Sequence, residues 1–450
     1  MQAPFTQDQQ LPAALTAVDG QTVSTFSNPD YPGYSARVKQ LRDFCDNQSR
    51  SYSGYIDLEA RHLFFYFFES RSLPEEDPVL LWLTGGPGCS SSLSAFMEMG
   101  PCNIHDAKGP AYNSYSWNTK TNLIFLDQPI GTGFSYAEHG EQVTRTEDGA
   151  EDIVNFVSMF FETFSQFKGR PFHIAGSSYG GRYIPVYASA IYDANRLAAA
   201  QGRTPINLQS ILLGNGITDS SSMASTYYDM SCTNASLPPA LPISTCVRMK
   251  QALPRCRTWI KAACDDHFDD ISCNAAHQFC RDKLEAPFIG TGRNIYDMSQ
   301  PCNGTIAETI CYPLTKEISK WLDRSDVRDV LGVSEYPYNF TMCSPKVFSR
   351  FRSTLDMHRG SKTYVSELLE RGIRVLVYVG NYDWTCNWLG NLAWTNTLQW
   401  AQGEEFAAKQ LGEWTVDGHR AGLTKTAGSL TFATVDQAGH MASSSSSRRR

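Results

Sequence analysis

The chain has 450 residues, a charged fraction of 19% and a formal net charge of −7. That acidic balance, with Lys and Arg dispersed except in the last three residues, argues against a nucleic-acid partner. No apolar stretch reaches the length of a membrane-spanning helix, and the length suits an α/β core carrying an insertion.

Residues 1–50 are polar and weakly patterned, and read as an N-terminal arm or a residual pro-region. Met1-Gln-Ala-Pro-Phe5 opens neither a basic region nor an apolar core, so no secretory signal is legible here. Strand signals alternate with turn residues from Tyr52 to Phe68 and again from Val79 to Thr84. The aromatic run Leu63 to Phe68 is too short to span a bilayer and fits a strand of a large sheet. The next strand runs into Thr84-Gly85-Gly86-Pro87-Gly88. A plain turn is the bland reading of that loop. Strand, double glycine and proline together argue instead for a loop that presents backbone N–H groups. From Thr146 to Phe167, apolar residues at Ile153, Val154, Phe156, Val157, Phe160, Phe161 and Phe164 describe an amphipathic helix packed on the sheet.

Phe172 to Ala175 reads as a buried strand that enters Gly176-Ser177-Ser178-Tyr179-Gly180, followed by a helix-compatible stretch from Arg182 to Tyr192. G-x-S-x-G by itself is also the composition of an ordinary turn. Between a strand and a helix, its glycines permit a sharp bend that exposes the central serine beside a helix N-terminus. Ser178 is the candidate nucleophile, and an elbow serine needs an acid and then a histidine later in the chain. Val375 to Val379 is a β-branched-rich run whose C-terminal loop, Gly380-Asn381-Tyr382-Asp383, places Asp383 at a sheet edge. Only His419 and His440 lie beyond it. His440 follows the strand-like Ser429 to Val435 through Asp436-Gln437-Ala438-Gly439, whereas His419 is expected in a polar loop with no strand leading into it. His440 is therefore the expected base and Asp383 its orienting acid. The Tyr179 N–H and one from the Gly85-Gly86 loop are the expected oxyanion donors.

Leu208 to Gly214 reads as the next core strand, ending at Asn215-Gly216. From there to about Tyr312 the strand–helix rhythm stops and Cys, Pro and Asn dominate, the pattern expected of a cap. Core patterning resumes at Leu314. The expected organisation is an arm (1–50), a core in two parts (51–217 and 314–441), a cap insertion (218–313) and a low-complexity tail (442–450). The chain holds 13 cysteines, which favour an oxidising compartment. Six of them lie between Cys232 and Cys280, interleaved with His267 and His277. The absence of a C-x2-C pair disfavours zinc, so disulfides and no metal are expected. Sequons at Asn47, Asn234, Asn303 and Asn339 permit N-glycosylation.

Trp82-Leu-Thr-Gly-Gly-Pro-Gly-Cys-Ser-Ser91, Phe125-Leu-Asp-Gln-Pro129, Gly133-Phe-Ser-Tyr136, the serine elbow and Cys386-Asn-Trp-Leu-Gly390 together resemble the serine carboxypeptidase family, in particular its fungal carboxypeptidase Y branch. The resemblance runs from about Ser51 to Met441. It implies an α/β-hydrolase fold, a mostly parallel sheet with helices on both faces and a disulfide-rich cap. The implied activity is removal of C-terminal residues from peptides, best at acidic pH, without a cofactor. Ser178, Asp383 and His440 match the family's triad, and Gly86 and Tyr179 its oxyanion donors. The family pattern implies the pairs Cys89–Cys343, Cys232–Cys246, Cys256–Cys280, Cys264–Cys273 and Cys302–Cys311. Cys45 and Cys102 are left for a sixth pair, and Cys386 is left as a free thiol near the site. Family and cysteines together imply a vacuolar, lysosome-like or secreted location.

The chain departs from the family at two positions and in its final segment. An exopeptidase recognises a free terminal carboxylate, which the family holds with an Asn before the double glycine and a proton-sharing Glu pair. Here Glu98 matches one Glu, but the other is Ser177 and the Asn is Thr84, beside Gly85. Beyond Met441 the family continues into a segment packed behind the histidine, whereas this chain reads Ala-Ser-Ser-Ser-Ser-Ser-Arg-Arg-Arg450. A polar tail of that kind is expected to bury no face. Two alternatives therefore stand beside the peptidase: an acyltransferase or esterase built on the same serine, and a catalytically impaired relative.

Overall fold

The computed structural model describes residues 15–445 except 19, 20, 43, 107, 139, 334–336 and 338. Residues 1–14 of the expected arm and 446–450 of the expected tail lie outside that set.

The aromatic run sets the architecture. In the strand Arg61–Phe68, Leu63, Phe65 and Phe67 enter one hydrophobic core, while Phe64, Tyr66 and Phe68 enter another. Side chains alternate across a strand, so an unbroken apolar run requires cover on both faces. Val79–Leu83 behaves alike, with Val79, Leu81 and Leu83 on one side and Leu80 and Trp82 on the other.

In chain order the strands along the main path of this sheet are β1 (Leu15–Val18), β2 (Gln21–Ser27), β3 (Tyr34–Leu41), β4 (Ser51–Leu58), β5 (Arg61–Phe68), β6 (Val79–Leu83), β7 (Asn122–Leu126), β8 (Phe172–Ser178), β9 (Leu208–Gly216), β10 (Arg374–Gly380), β11 (Gly412–Val416), β12 (His419–Ala427) and β13 (Leu430–Val435), and the short strand Tyr136–Ala137 pairs antiparallel with β5 off that path. Their spatial order is β1-β2-β3-β4-β5-β7-β6-β8-β9-β10-β13-β12-β11. The run β7-β6-β8-β9-β10-β13 is parallel throughout, and the flanking strands are antiparallel. Parallel neighbours carry their C-terminal ends to one edge, where such sheets hold their ligands.

Among the helices, α1 is Ser92–Met97, α2 Ala150–Thr163 and α3 Gly180–Ala200. The helix expected over Thr146 to Phe167 is α2 followed by a short 3-10 turn, with the Phe160 ring 5.0 Å from that of Phe67. The helix after the elbow reaches Ala200, beyond the expected Tyr192.

Three expectations are corrected. Part of the stretch read as an arm supplies β2 and β3, because Ala36, Val38 and Leu41 alternate into the cores. His419 does not sit in a loop without a leading strand: β11 leads to it, and it opens β12 as an exposed residue near the sheet's far edge. The tail does bury a residue at its start. Ala442–Ser445 forms a helical turn, α4, with Ala442 only 4% exposed and the turn packed against β9 and β10.

The cysteine-rich segment is largely helical, including Ile243–Ile260 and Asp270–Cys280. Cys256–Cys280 and Cys264–Cys273 join these two helical arms, and Cys232–Cys246 ties the first to the preceding helix. Cys302–Cys311, Cys45–Cys102 and Cys89–Cys343 complete the bridges, leaving Cys386 free and buried.

Candidate active site

The site is assembled from loops at the C-terminal ends of β6, β8, β9, β10 and β13. β8 continues through Ser178, whose φ of +60° is unusual for a side-chain-bearing residue and marks the bend into α3. The bend is tight because Gly176 lies against β6; a Cβ there would stand 2.0 Å from the Leu83 carbonyl oxygen. Ser178 is half-buried, and its carbonyl accepts the Ile217 N–H at 2.8 Å, fixing the elbow to the end of β9.

Asp383, after β10, is completely buried. Its Oδ2 lies 2.6 Å from His440 Nδ1 and accepts from Asn215 Nδ2 at 2.7 Å, while Oδ1 accepts the Cys386 N–H at 3.1 Å. Asn215 stands at the end of β9, between the strands that carry Ser178 and Asp383, and its Oδ1 accepts the Gly380 N–H at 3.1 Å. Sequence reading placed Asn215 only at a strand end. The sequence signal was only an Asn before a Gly at a strand end; Asn tolerates the left-handed region, and the structure places Asn215 there with φ +43°.

His440 is 5% exposed, and its backbone N–H donates to the Tyr296 carbonyl at 2.7 Å. Burial works against its imidazolium, but the charge and hydrogen bond of Asp383, with the charge of Glu98, outweigh it and hold the pKa above the ordinary histidine value. Among the described residues no Ser178–His440 hydrogen bond is formed, a link that commonly tightens only with substrate. The Ser178 hydroxyl instead meets the Cys386 thiol, which burial and the Asp383 charge push far up, so it stays protonated.

Opposite the elbow, Gly85 leaves no room for a side chain: a Cβ would lie 2.3 Å from Tyr179 N and 2.8 Å from Ser178 Cβ. Gly86, at φ +118°, follows in a conformation that side chains rarely adopt. Among the described residues neither the Gly86 nor the Tyr179 N–H donates to another protein group. The loop is braced by Asp127, which sequence reading quoted only as part of a motif. Asp127 accepts Ser90 Oγ at 2.5 Å, the Ser91 N–H at 3.0 Å and the Phe134 N–H at 2.9 Å; burial lifts its pKa to about 6. Cys89–Cys343 ties the same loop to the segment before Ser344.

Thr84, Ser177 and Glu98 are all buried, but Glu98 is not hydrogen-bonded to Ser177. It accepts Ser94 Oγ at 2.7 Å, and its other oxygen meets Ser443 of α4. Ser94 Oγ in turn lies 3.1 Å from Thr84 Oγ1. Burial raises the Glu98 pKa against these hydrogen bonds and the charge of His440. Of the aromatics that could line a pocket or fill the core, Tyr179 and Trp384 are each 1% exposed and packed, while Tyr296 is half-buried with its ring 5.1 Å from His440. Cys264, Cys273 and His277 cluster closely enough for a metal, but the two sulfurs are bonded to each other. Asp383, Cys386 and His440 cluster too, with Asp383 and His440 committed to each other.

A half-buried serine on a strained bend, a buried Asp–His pair and two undirected N–H groups form an arrangement suited to acyl transfer. A family model described as serine carboxypeptidase matches residues 43–449. Carboxypeptidase Y of Komagataella phaffii is 37% identical over 421 residues, which is 92% of this chain and 77% of that protein. The vacuolar serine-type carboxypeptidase ATG42 of Saccharomyces cerevisiae is 38% identical, over 94% of this chain and 82% of its own. In fold, the chain is similar to the crystal structure of a prohormone-processing carboxypeptidase from Saccharomyces cerevisiae, with a TM-score of 0.76, 24% identity, and coverage of 90% of this chain and 92% of that one.

Proposed function

The chain belongs to the serine carboxypeptidase family, a serine-type hydrolase of α/β-hydrolase fold acting on peptides, and from that premise we propose which of its residues carry the reaction. Ser178 is the nucleophile, His440 the general base and acid, and Asp383 the group that orients His440. Ser178 Oγ attacks the terminal peptide carbonyl while His440 Nε2 takes its proton. The oxyanion that develops lies toward the Gly86 and Tyr179 N–H groups. Collapse of the tetrahedral intermediate breaks the C–N bond, and His440 returns the proton to the departing amine. Water then cleaves the acyl-enzyme by the same steps in reverse roles.

The observation that carries this reading is the 2.6 Å contact between Asp383 and His440, two buried residues 57 positions apart, set beside the Ser178 elbow. Residues 51–217 and 314–441 are read as the catalytic core and 218–313 as a cap. The cap's end reaches the site through Tyr296, whose carbonyl holds the His440 N–H. Thr84, Gly85, Glu98 and Ser177 are read as the place where the substrate's terminal carboxylate is held. Working pH is read as acidic and location as vacuolar or secretory. Six disulfides, the exposure of Asn47, Asn234, Asn303 and Asn339, and the vacuolar designation of a relative support that location. Among the described residues, no helix is long and apolar enough to cross a membrane.

A fluorophosphonate probe tests the nucleophile: labelling is expected on the native protein and absent from Ser178→Ala. Rates on a blocked dipeptide, its C-terminal amide and a simple ester test the acceptor side. A peptidase prefers the free acid. Equal turnover of acid and amide, with a fast ester, would favour the acyltransferase or esterase reading.

A further inference from the structure

The hydrogen-bond chain around Glu98 has a direction fixed by its ends. Trp82 Nε1 carries a hydrogen and no lone pair, so it donates to Thr84 Oγ1 at 3.2 Å. An ionised Glu98 carries lone pairs and no hydrogen, so Ser94 Oγ donates to it at 2.7 Å. Ser94 has only one hydroxyl hydrogen. The 3.1 Å contact between Thr84 and Ser94 must then be a donation from Thr84 to Ser94. With Glu98 ionised, the Thr84 hydrogen is therefore spent inward, and what Thr84 turns outward is a lone pair that repels a carboxylate.

A proton on Glu98 Oε1 reverses the chain. Glu98 donates to Ser94, Ser94 donates to Thr84, and Thr84 Oγ1 accepts from both Trp82 and Ser94. The Thr84 hydrogen is released and can turn toward a substrate carboxylate. No bond other than the added O–H forms or breaks; two hydroxyls rotate. Resting on the reading that this cluster holds the substrate's terminal carboxylate, we infer that Ser94 is a specificity-determining relay residue, through which a single proton on Glu98 switches Thr84 from acceptor to donor and so gates recognition of the free acid. The relay does without a second carboxyl at position 177.

Burial favours the protonated form of Glu98 at a higher pH than an exposed glutamate would allow. The groups that face it are Ser94 from α1, Ser443 from α4, His440 after β13, Tyr378 from β10 and Tyr312 at the end of the cap. His440 also titrates and governs the chemistry itself. A ratio of rates on free acid and amide removes that dependence, because both substrates need the same base.

The experiment measures kcat/KM for a blocked dipeptide and for its C-terminal amide from about pH 5 to 8, where the substrate's terminal carboxyl is ionised throughout. In the native enzyme the acid-to-amide ratio is expected to fall as pH rises, approaching tenfold per pH unit above the Glu98 pKa, the slope of a one-proton switch. Ser94→Ala leaves the Thr84 hydrogen without an inward acceptor and free to face the substrate at every pH, so the ratio should stay near its native acid-end value and be flat with pH, a gain of roughly tenfold to a hundredfold over the native ratio at the alkaline end. Ser94→Thr keeps the hydroxyl and should restore the slope. Ser443→Ala removes a partner of the Glu98 carboxylate and should move the midpoint to higher pH.

An unchanged slope in Ser94→Ala, or an unmoved midpoint in Ser443→Ala, overturns the relay. Thr84→Val separates that failure from failure of the underlying reading. If Thr84→Val keeps the native ratio, the carboxylate is not held at Thr84. If Thr84→Val loses the ratio while Ser94→Ala keeps the native slope, the site stands and only the relay falls.

Discussion

Asn215 Nδ2 donates to Asp383 Oδ2 over 2.7 Å, to the oxygen that also lies 2.6 Å from His440 Nδ1. One carboxylate oxygen thus receives two donors from two different strand ends, and Asp383 cannot turn without losing both. Asn215→Gly keeps the backbone free to hold φ near +43° while deleting the amide. A lost hydrogen bond to a buried charge is worth about 1.5–3 kcal/mol, so kcat should fall roughly tenfold to a hundredfold with KM little changed. Steady-state kinetics on one peptide decides it; an equal rise in KM would place Asn215 in substrate binding instead.

Gly85→Ala should be far more damaging than its size implies. The added methyl would stand 2.3 Å from Tyr179 N and 2.8 Å from Ser178 Cβ, so the elbow and the Gly86 loop must separate. Losing one oxyanion donor commonly costs a hundredfold or more in kcat, and a loss of about that size is expected. Near-native thermal unfolding together with slow fluorophosphonate labelling would assign the defect to the site rather than to the fold.

The acid limb of the activity profile should follow His440. As the proposed base it works only when neutral, so activity on an uncharged ester should fall as pH drops through its pKa, which Asp383 and Glu98 hold above the ordinary value despite burial. Glu98→Gln removes one of those charges, and the limb should move to lower pH. Asp383→Asn should move it further while lowering kcat severely, since His440 loses its orienting partner. A limb displaced upward in Glu98→Gln would contradict the charge assignment.

Cys386 is completely buried, and its thiol is held protonated by burial and by Asp383. Charged alkylating reagents that need a thiolate should therefore react slowly at neutral pH. A small mercurial that binds the sulfur is expected to block fluorophosphonate labelling of Ser178, since the hydroxyl and thiol are in contact. Cys386→Ser should resist it. Mercurial binding with unchanged turnover would place the thiol away from the reacting atoms.

Features written in short stretches of chain were legible in the sequence. The elbow is local, because a strand, a glycine and a serine before a helix are consecutive residues. The aromatic run of β5 declared a sheet covered on both faces, since no alternation of polar residues interrupts it. The order of serine, acid and histidine was likewise readable once each was tied to its strand. His419 was set aside for a reason the structure corrects, because β11 is an exposed edge strand whose mixed Gly412–Val416 pattern carries little apolar signal. The cap's helices were hidden for a similar reason: disulfides hold them, so their apolar stripe is thin.

What the sequence by itself determined was a short set of candidates: a hydroxyl, an imidazole and a carboxyl in the order an elbow serine needs, and the glycines that let the chain bend beside them. Only the tertiary structure decided which groups finish the site. Asn215 meets Asp383 from 168 positions away, and Ser443 meets Glu98 from 345. Ser94 became meaningful only when Trp82 and Glu98 fixed the two ends of its hydrogen-bond chain. A hydroxyl has no donor or acceptor role until a neighbour assigns one, and in a folded chain those neighbours are set by the sheet.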